Sequence, residues 1–107
     1  MKNANFYDKY YKPGKTVRVS ELIPFTQKSF YGKAIVITVD NNIFLQSYDT
    51  IVCGFVNGKF ERYWDDYSAT TMKHINDFLR MCVTAEIYKN IGGKKWWNSQ
   101  PVVECKF

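Results

Sequence analysis

The sequence predicts an α+β fold: a curved antiparallel sheet of four to six strands with one main amphipathic helix packed on one face. Three observations carry that expectation. Residues 50–56 (TIVCGFV) are β-branched and aromatic enough for a buried strand, and residues 59–64 (KFERYW) alternate with period two. Between them Asn57-Gly58 accepts the positive φ angles of a type I′ turn, whose twist matches the strands it joins. Past residue 67 the period changes: Met72, Ile75, Phe78, Leu79 and Cys82 recur at steps of three and four, with Lys73, Asn76, Asp77 and Arg80 on the other side.

The hairpin implies a register. Val56 should face Lys59, Phe55 Phe60, Cys53 Arg62 and Ile51 Trp64, so that Ile51, Cys53, Phe55, Phe60, Arg62 and Trp64 share one face. The single Arg on that face is expected at its rim or snorkelling, with its head in water. For the helix, Ser68 is the expected N-cap, with Tyr67 as a hydrophobic staple on Met72. Asp65 and Asp66 then complement the positive end of the helix dipole.

Taken in order, residues 1–15 mix four aromatics with lysines before the Pro13-Gly14 turn signal and read as a short N-terminal arm, helical or irregular, whose docking on the rest stays open. Residues 16–66 are β-rich. Residues 16–20 alternate as a short strand, and residues 29–39 form the next, with Gly32 as a bulge or close-approach point. Asp40-Asn41-Asn42 turns the chain back into residues 43–48. Whether residues 47–50 bend one long strand or turn between two stays open on pattern alone. Residues 67–82 hold the main helix. The C-terminal segment, 83–107, is expected to contain a helical turn at 85–90 closed by Gly92-Gly93, an extended basic-aromatic stretch at 94–97 and an edge strand after Pro101.

Length and composition set the outer bounds. With 107 residues and 46% hydrophobic content the chain supports one core, so residues 1–107 are read as a single domain. No stretch approaches the roughly 20 apolar residues of a membrane span and no apolar run follows Met1-Lys2, so the expected location is cytoplasmic, without membrane contact. The net charge of +5 is uneven: residues 1–33 carry seven Lys/Arg against two acids, residues 34–66 two against five, and residues 67–107 six against three. Basic ends permit an acidic or nucleic-acid partner without requiring one.

Candidate chemistry is sparse. Cys53, Cys82 and Cys105 fit neither a disulfide framework nor a zinc knuckle and read as reduced, structural thiols. His74, the only histidine, has no nucleophile at catalytic spacing and too few companions for a metal site, so it reads as a hydrogen-bonded residue at the rim of the core. Ser68, Thr70 and Thr71 could face a phosphate at a helix N-terminus, but no Gly-rich loop or Lys accompanies them and capping is the better account. No enzymatic activity, metal or cofactor is implied.

The most suggestive surface feature is Lys94-Lys95-Trp96-Trp97. Basic residues beside aromatics suit both base stacking and protein interfaces, where Trp is a frequent anchor. With Tyr31 these four are the candidate partner-binding residues.

The runs at 27–34 (QKSFYGKA), 45–52 (LQSYDTIV) and 67–79 (YSATTMKHINDFL) resemble those of a family of small bacteriophage and mobile-element proteins without an established function. The resemblance covers roughly residues 26–102, with 94–97 as the closing basic-aromatic segment; Cys53, where that family often has Ala, and residues 83–93 depart from it. It implies a setting inside a bacterial host cell, and a small non-enzymatic protein that binds and inhibits or modulates a host protein or nucleoprotein complex, in an anti-defence, anti-CRISPR-like role. A basic nucleic-acid-binding module is the alternative, and the oligomeric state is open.

Overall fold

The computed structural model describes residues 16–25 and 27–106. The expected N-terminal arm lies outside them. Five strands, β1 (Val17–Glu21), β2 (Ala34–Val39), β3 (Asn42–Ser47), β4 (Thr50–Val56) and β5 (Lys59–Arg62), pair in sequence order as one antiparallel meander. They are followed by α1 (Ala69–Cys82), α2 (Ala85–Tyr88) and α3 (Gly93–Ser99). The α+β expectation is met, with five strands and α1 as the main helix.

Three two-residue turns set the meander. Asn57-Gly58 joins β4 to β5 with φ of 54° and 80°, and the register it imposes matches expectation at Val56–Lys59, Phe55–Phe60 and Cys53–Arg62. Asp40-Asn41 joins β2 to β3. Between β3 and β4 the chain turns at Tyr48-Asp49, which resolves the open choice at residues 47–50 in favour of a turn. Gly32 is a turn residue at φ 75°, not a bulge.

The bulge lies in β4. Leu45 pairs with Cys53 and Gln46 with Ile51, leaving Val52 as the extra residue. Val52 and Cys53 therefore both face α1, and Ile51 falls on the opposite face of the sheet with Ile37, Val39 and Phe44. The expected facing of Ile51 and Trp64 is lost for this reason. Tyr63 and Trp64 instead both direct their N–H groups at the Val52 carbonyl, at 2.9 and 3.3 Å. Gly54, two residues on, has no room for a side chain: a Cβ there would stand 2.6 Å from Phe44 Cδ1 and 2.7 Å from the Ile43 carbonyl oxygen.

Helix α1 starts where its capping chemistry predicts. Ser68 Oγ accepts the Thr71 N–H at 3.0 Å, and Met72, Ile75, Phe78 and Leu79 are buried against the sheet. Each buried side chain of this size is worth roughly 1.5–3 kcal/mol, which outweighs the modest helix propensity of a segment rich in Thr. Asp77, expected on the wet face, is buried because the β1–β2 connection folds over it: its Oδ2 accepts the Phe25 N–H at 3.0 Å. The same connection contributes Leu22 and Phe30 to the core.

Residues 94–97 are helical, not extended, and α3 is held at its start by Gly93 N–H donating to Asn76 Oδ1 of α1 at 3.0 Å. In place of an edge strand, the C-terminal segment makes one parallel bridge, Val102 to Arg62.

Two substitutions check this account by urea or thermal unfolding. Ser68→Ala should cost about 0.5–2 kcal/mol through the lost cap. Gly54→Ala should cost about 1–3 kcal/mol, since one of the atoms it meets is backbone that cannot swing aside.

Candidate partner-binding face

The five residues singled out from the sequence divide between two places. Lys94, Lys95, Trp96 and Trp97 share α3, beside β5 on the helix face of the sheet, whereas Tyr31 stands before β2, three strand spacings or roughly 14 Å away. They do not form one platform.

Trp97 is a core residue, fully buried, with its indole N–H donating to the Asp66 carbonyl at 2.9 Å. Arg62 closes over it. The guanidinium sits 4.8 Å from the Trp97 ring centre and donates to the carbonyls of Trp64 (2.8 Å), Trp97 (2.9 Å) and Gln100 (3.1 Å). Arg62 is thus 6% exposed and anchored, not at a solvated rim. Trp96 is half-buried against Phe60, ring centres 4.8 Å apart. Lys94 lies 5.9 Å over the Tyr67 ring, and Lys95 is exposed. Helical geometry places Trp96 and Trp97 about 100° apart, so the inward turn of Trp97 leaves Trp96 at the margin.

Tyr31 is the opposite case. It is 77% exposed and holds φ at 54° in the turn Tyr31-Gly32, closed by Lys33 N–H donating to the Phe30 carbonyl at 3.0 Å. Beside it stands a second tyrosine with the same backbone. Tyr48 has φ 56°, is 47% exposed, and its N–H donates to the Lys33 carbonyl at 2.8 Å, so the two turns are adjacent. Lys33 Nζ reaches to 5.8 Å from the Tyr48 ring centre. The β1–β2 connection also exposes Ile23 and Phe25, but the Phe25 ring lies over α1, 5.8 Å from the Arg80 guanidinium, and not beside the tyrosines. Acidic groups are interleaved: Asp49 follows Tyr48, and Glu21 Oε1 lies 3.7 Å from where a Cβ on Gly32 would be.

Positive φ suits Gly, Asn and Asp; for other residues it costs about 1–2 kcal/mol. The two turns at the far end of the sheet obey this chemistry with Asp40 and Asn57 as their first residues. The near end breaks it twice, and each time places the offending tyrosine in water. Tyr48 was missed in the sequence because its exposure and backbone depend on the turn at 48–49, which the hydropathy pattern left open.

Behind the tyrosines lies a buried polar cluster. Ser47 Oγ and His74 Nδ1 are 2.8 Å apart, and Ser47 Oγ and Thr71 Oγ1 3.0 Å apart. A hydroxyl in contact with an imidazole resembles a nucleophile and its base, which sequence separation concealed. Here Ser47 is 3% and His74 1% exposed, so no substrate reaches them. The imidazole is enclosed by the Phe30 ring at 4.6 Å and the Tyr48 ring at 5.8 Å. His74 is therefore inside the core, not at its rim, and burial holds its pKa below the ordinary value against a smaller upward pull from Asp77. Burial likewise raises the thiols of Cys53 and Cys82, the latter to about 12, which keeps them protonated and unreactive. Among the described residues no three His, Cys, Asp or Glu side chains converge as a metal ion would require, and no helix is long and apolar enough to cross a membrane.

A model of DUF8033, a family of unknown function, matches residues 21–99, from the last residue of β1 to the end of α3. The chain belongs to this family. No curated protein and no solved structure matches it. The DUF8033 match takes in the tyrosine turns, the Ser47–His74–Thr71 cluster and the Arg62–Trp97 contact.

The cluster yields a pH test. The folded state resists protonating His74, whereas the unfolded chain takes up the proton near pH 6.5. Stability should accordingly fall as pH drops below about 6.5, by no more than about 1.4 kcal/mol per pH unit. In urea titrations between pH 7.5 and 5, wild type should show this loss and His74→Gln a flatter profile; equal slopes would remove His74 as the source.

Proposed function

We propose that this DUF8033 chain is a non-enzymatic protein-binding module that engages its partner through the tyrosine end of the sheet. One observation carries the reading: Tyr31 and Tyr48 are adjacent, solvent-facing, and held in a backbone conformation that disfavours them. Strain of that kind, offset by no burial at Tyr31 and only by a partial cover of His74 at Tyr48, points to a use outside the fold. Tyrosine supplies a rigid amphipathic surface at low entropic cost, which is why it is enriched at protein interfaces. In the phage or mobile-element setting that the sequence resemblance implies, the partner is a host protein or nucleoprotein complex and binding occludes it, an anti-defence role of the anti-CRISPR kind.

The nucleic-acid alternative has weaker support. Glu21 and Asp49 beside the tyrosines repel phosphates. The described residues carry eleven Lys/Arg against nine Asp/Glu, and all of the remaining positive excess lies in residues 1–15. Trp97 is sealed in the core, which leaves α3 with Trp96 as its one partly accessible ring.

Pull-down from bacterial lysate, with and without nuclease, separates the two. A nuclease-resistant protein partner should be retained, and Tyr31→Asn together with Tyr48→Asn should weaken its binding by more than ~1 kcal/mol. Thermal stability should hold or rise in Tyr31→Asn, because Asn accepts the positive φ. Lys94→Ala with Lys95→Ala should act mainly on the association rate. A nuclease-sensitive capture, with affinity falling by a log–log salt slope of about −0.9 per duplex phosphate and the lysine pair dominant, would establish the alternative instead.

A further inference from the structure

We infer that β1 is a self-pairing edge through which two copies of this chain join their sheets. The meander has two edges. At β5 the C-terminal segment covers the strand end, with Val102 bridged to Arg62 and Val103 N–H donating to the Arg62 carbonyl at 2.8 Å. At β1 nothing among the described residues does the same.

The direction of β1's backbone groups follows from its bonds to β2. Asp40 N–H donates to the Thr16 carbonyl at 2.8 Å, and Leu22 N–H to the Ala34 carbonyl at 2.9 Å. The register between them is unbroken, Val17 with Val39 through Glu21 with Ile35. Inward and outward bonding alternate in an antiparallel pair, so residues 16, 18, 20 and 22 bond inward while the N–H and C=O groups of Val17, Val19 and Glu21 point away from the sheet. Their side-chain surroundings are open too: Arg18, Val19, Ser20 and Glu21 are exposed, Val19 by 49%. Soluble proteins blunt such edges with Pro, bulges or charged side chains, Lys above all. β1, VRVSE, has no Pro, bulge or Lys, and its two charges, Arg18 and Glu21, are of opposite sign, so they do not repel a second copy of the strand.

What can fill the edge is an extended strand, and the strand's own sequence suits a second copy. Antiparallel pairing centred on Val19 sets Val17 opposite the second copy's Glu21, Arg18 opposite its Ser20, and Val19 opposite Val19. Every outward-facing residue then meets an outward-facing one, which satisfies both backbone groups of Val17, Val19 and Glu21 in each copy. The most exposed valine of the strand is covered by its twin, and no like charges are directly opposed. Moving the centre to Glu21 would oppose two carboxylates and run the pairing past the end of the strand. Because opposed residues share a face, the two-fold axis stands perpendicular to the sheet, giving ten continuous strands with both α1 helices on one side. An interface this small gives a concentration-dependent dimer rather than an obligate one.

Sedimentation velocity from micromolar to millimolar protein tests the inference. The weight-average mass should rise from the 12.6 kDa of one chain towards twice that value. Amide exchange at Val17, Val19 and Glu21 should slow over the same range, while amides in α1 stay unchanged. Val19→Pro removes an outward N–H without touching a β1–β2 bond, and Val19→Lys sets like charges at the axis. Both variants should keep the wild-type circular dichroism and remain monomeric. A wild type that stays monomeric to millimolar concentration would overturn the inference. So would a dimer that both variants leave intact, or edge amides protected only when a different protein is added, since that would assign the edge to a foreign strand.

Discussion

The buried guanidinium of Arg62 is the contact on which the C-terminal half of the fold depends. It has no carboxylate partner among the described residues; three carbonyls and the face of Trp97 take its place. Two of those carbonyls, Trp97 and Gln100, belong to the end of α3, where backbone acceptors lack intrahelical donors and the helix dipole is negative. A seven-residue helix has little stability of its own, so α3 exists because its carboxyl end is tied to β5 and its amino end to Asn76. The Asp66 carbonyl then receives the Trp97 indole, which binds the β5–α1 connection into the same knot. Removing the guanidinium would strand several buried acceptors at once, a larger loss than the deletion of one surface charge.

This arrangement also explains why the basic-aromatic segment reads so differently in sequence and in space. Lys94, Lys95, Trp96 and Trp97 look like a binding patch because the two tryptophans are adjacent and flanked by charge. The second is used to seat the helix, and the first covers Phe60. Composition alone does not separate a tryptophan that anchors a helix from one that anchors a partner. The separation needed Arg62, thirty-five residues earlier, whose role could not be read from its place in an alternating strand.

Local chemistry was legible wherever one interaction dominated. The Asn57-Gly58 turn, the Ser68 cap and the α1 stripe are set by neighbours within four residues, and each lies where the pattern placed it. The failures share a cause of longer range. A single inserted residue at Val52 turned Ile51 to the other face, because side-chain direction in a strand has period two and one extra residue inverts it. Asp77, Leu22 and Phe30 are buried by an irregular connection that has no period at all. His74 and Ser47 meet across 27 positions, with nothing in either local stretch to signal the contact.

The two ends of the sheet therefore follow different rules. At one end Asp40 and Asn57 relieve the backbone, and Asn42 Oδ1 accepts the Asn57 N–H at 3.0 Å to join the neighbouring turns. At the other end the turns keep tyrosines that gain little burial, and the strain is borne by what lies beneath: the Ser47–His74–Thr71 cluster locks the end of β3 to α1, and Phe30 closes over the imidazole. A strained surface persists only where its support is over-determined. The cluster thus holds the residue that precedes Tyr48, and the Tyr48 ring lies 5.8 Å from the imidazole that the cluster fixes.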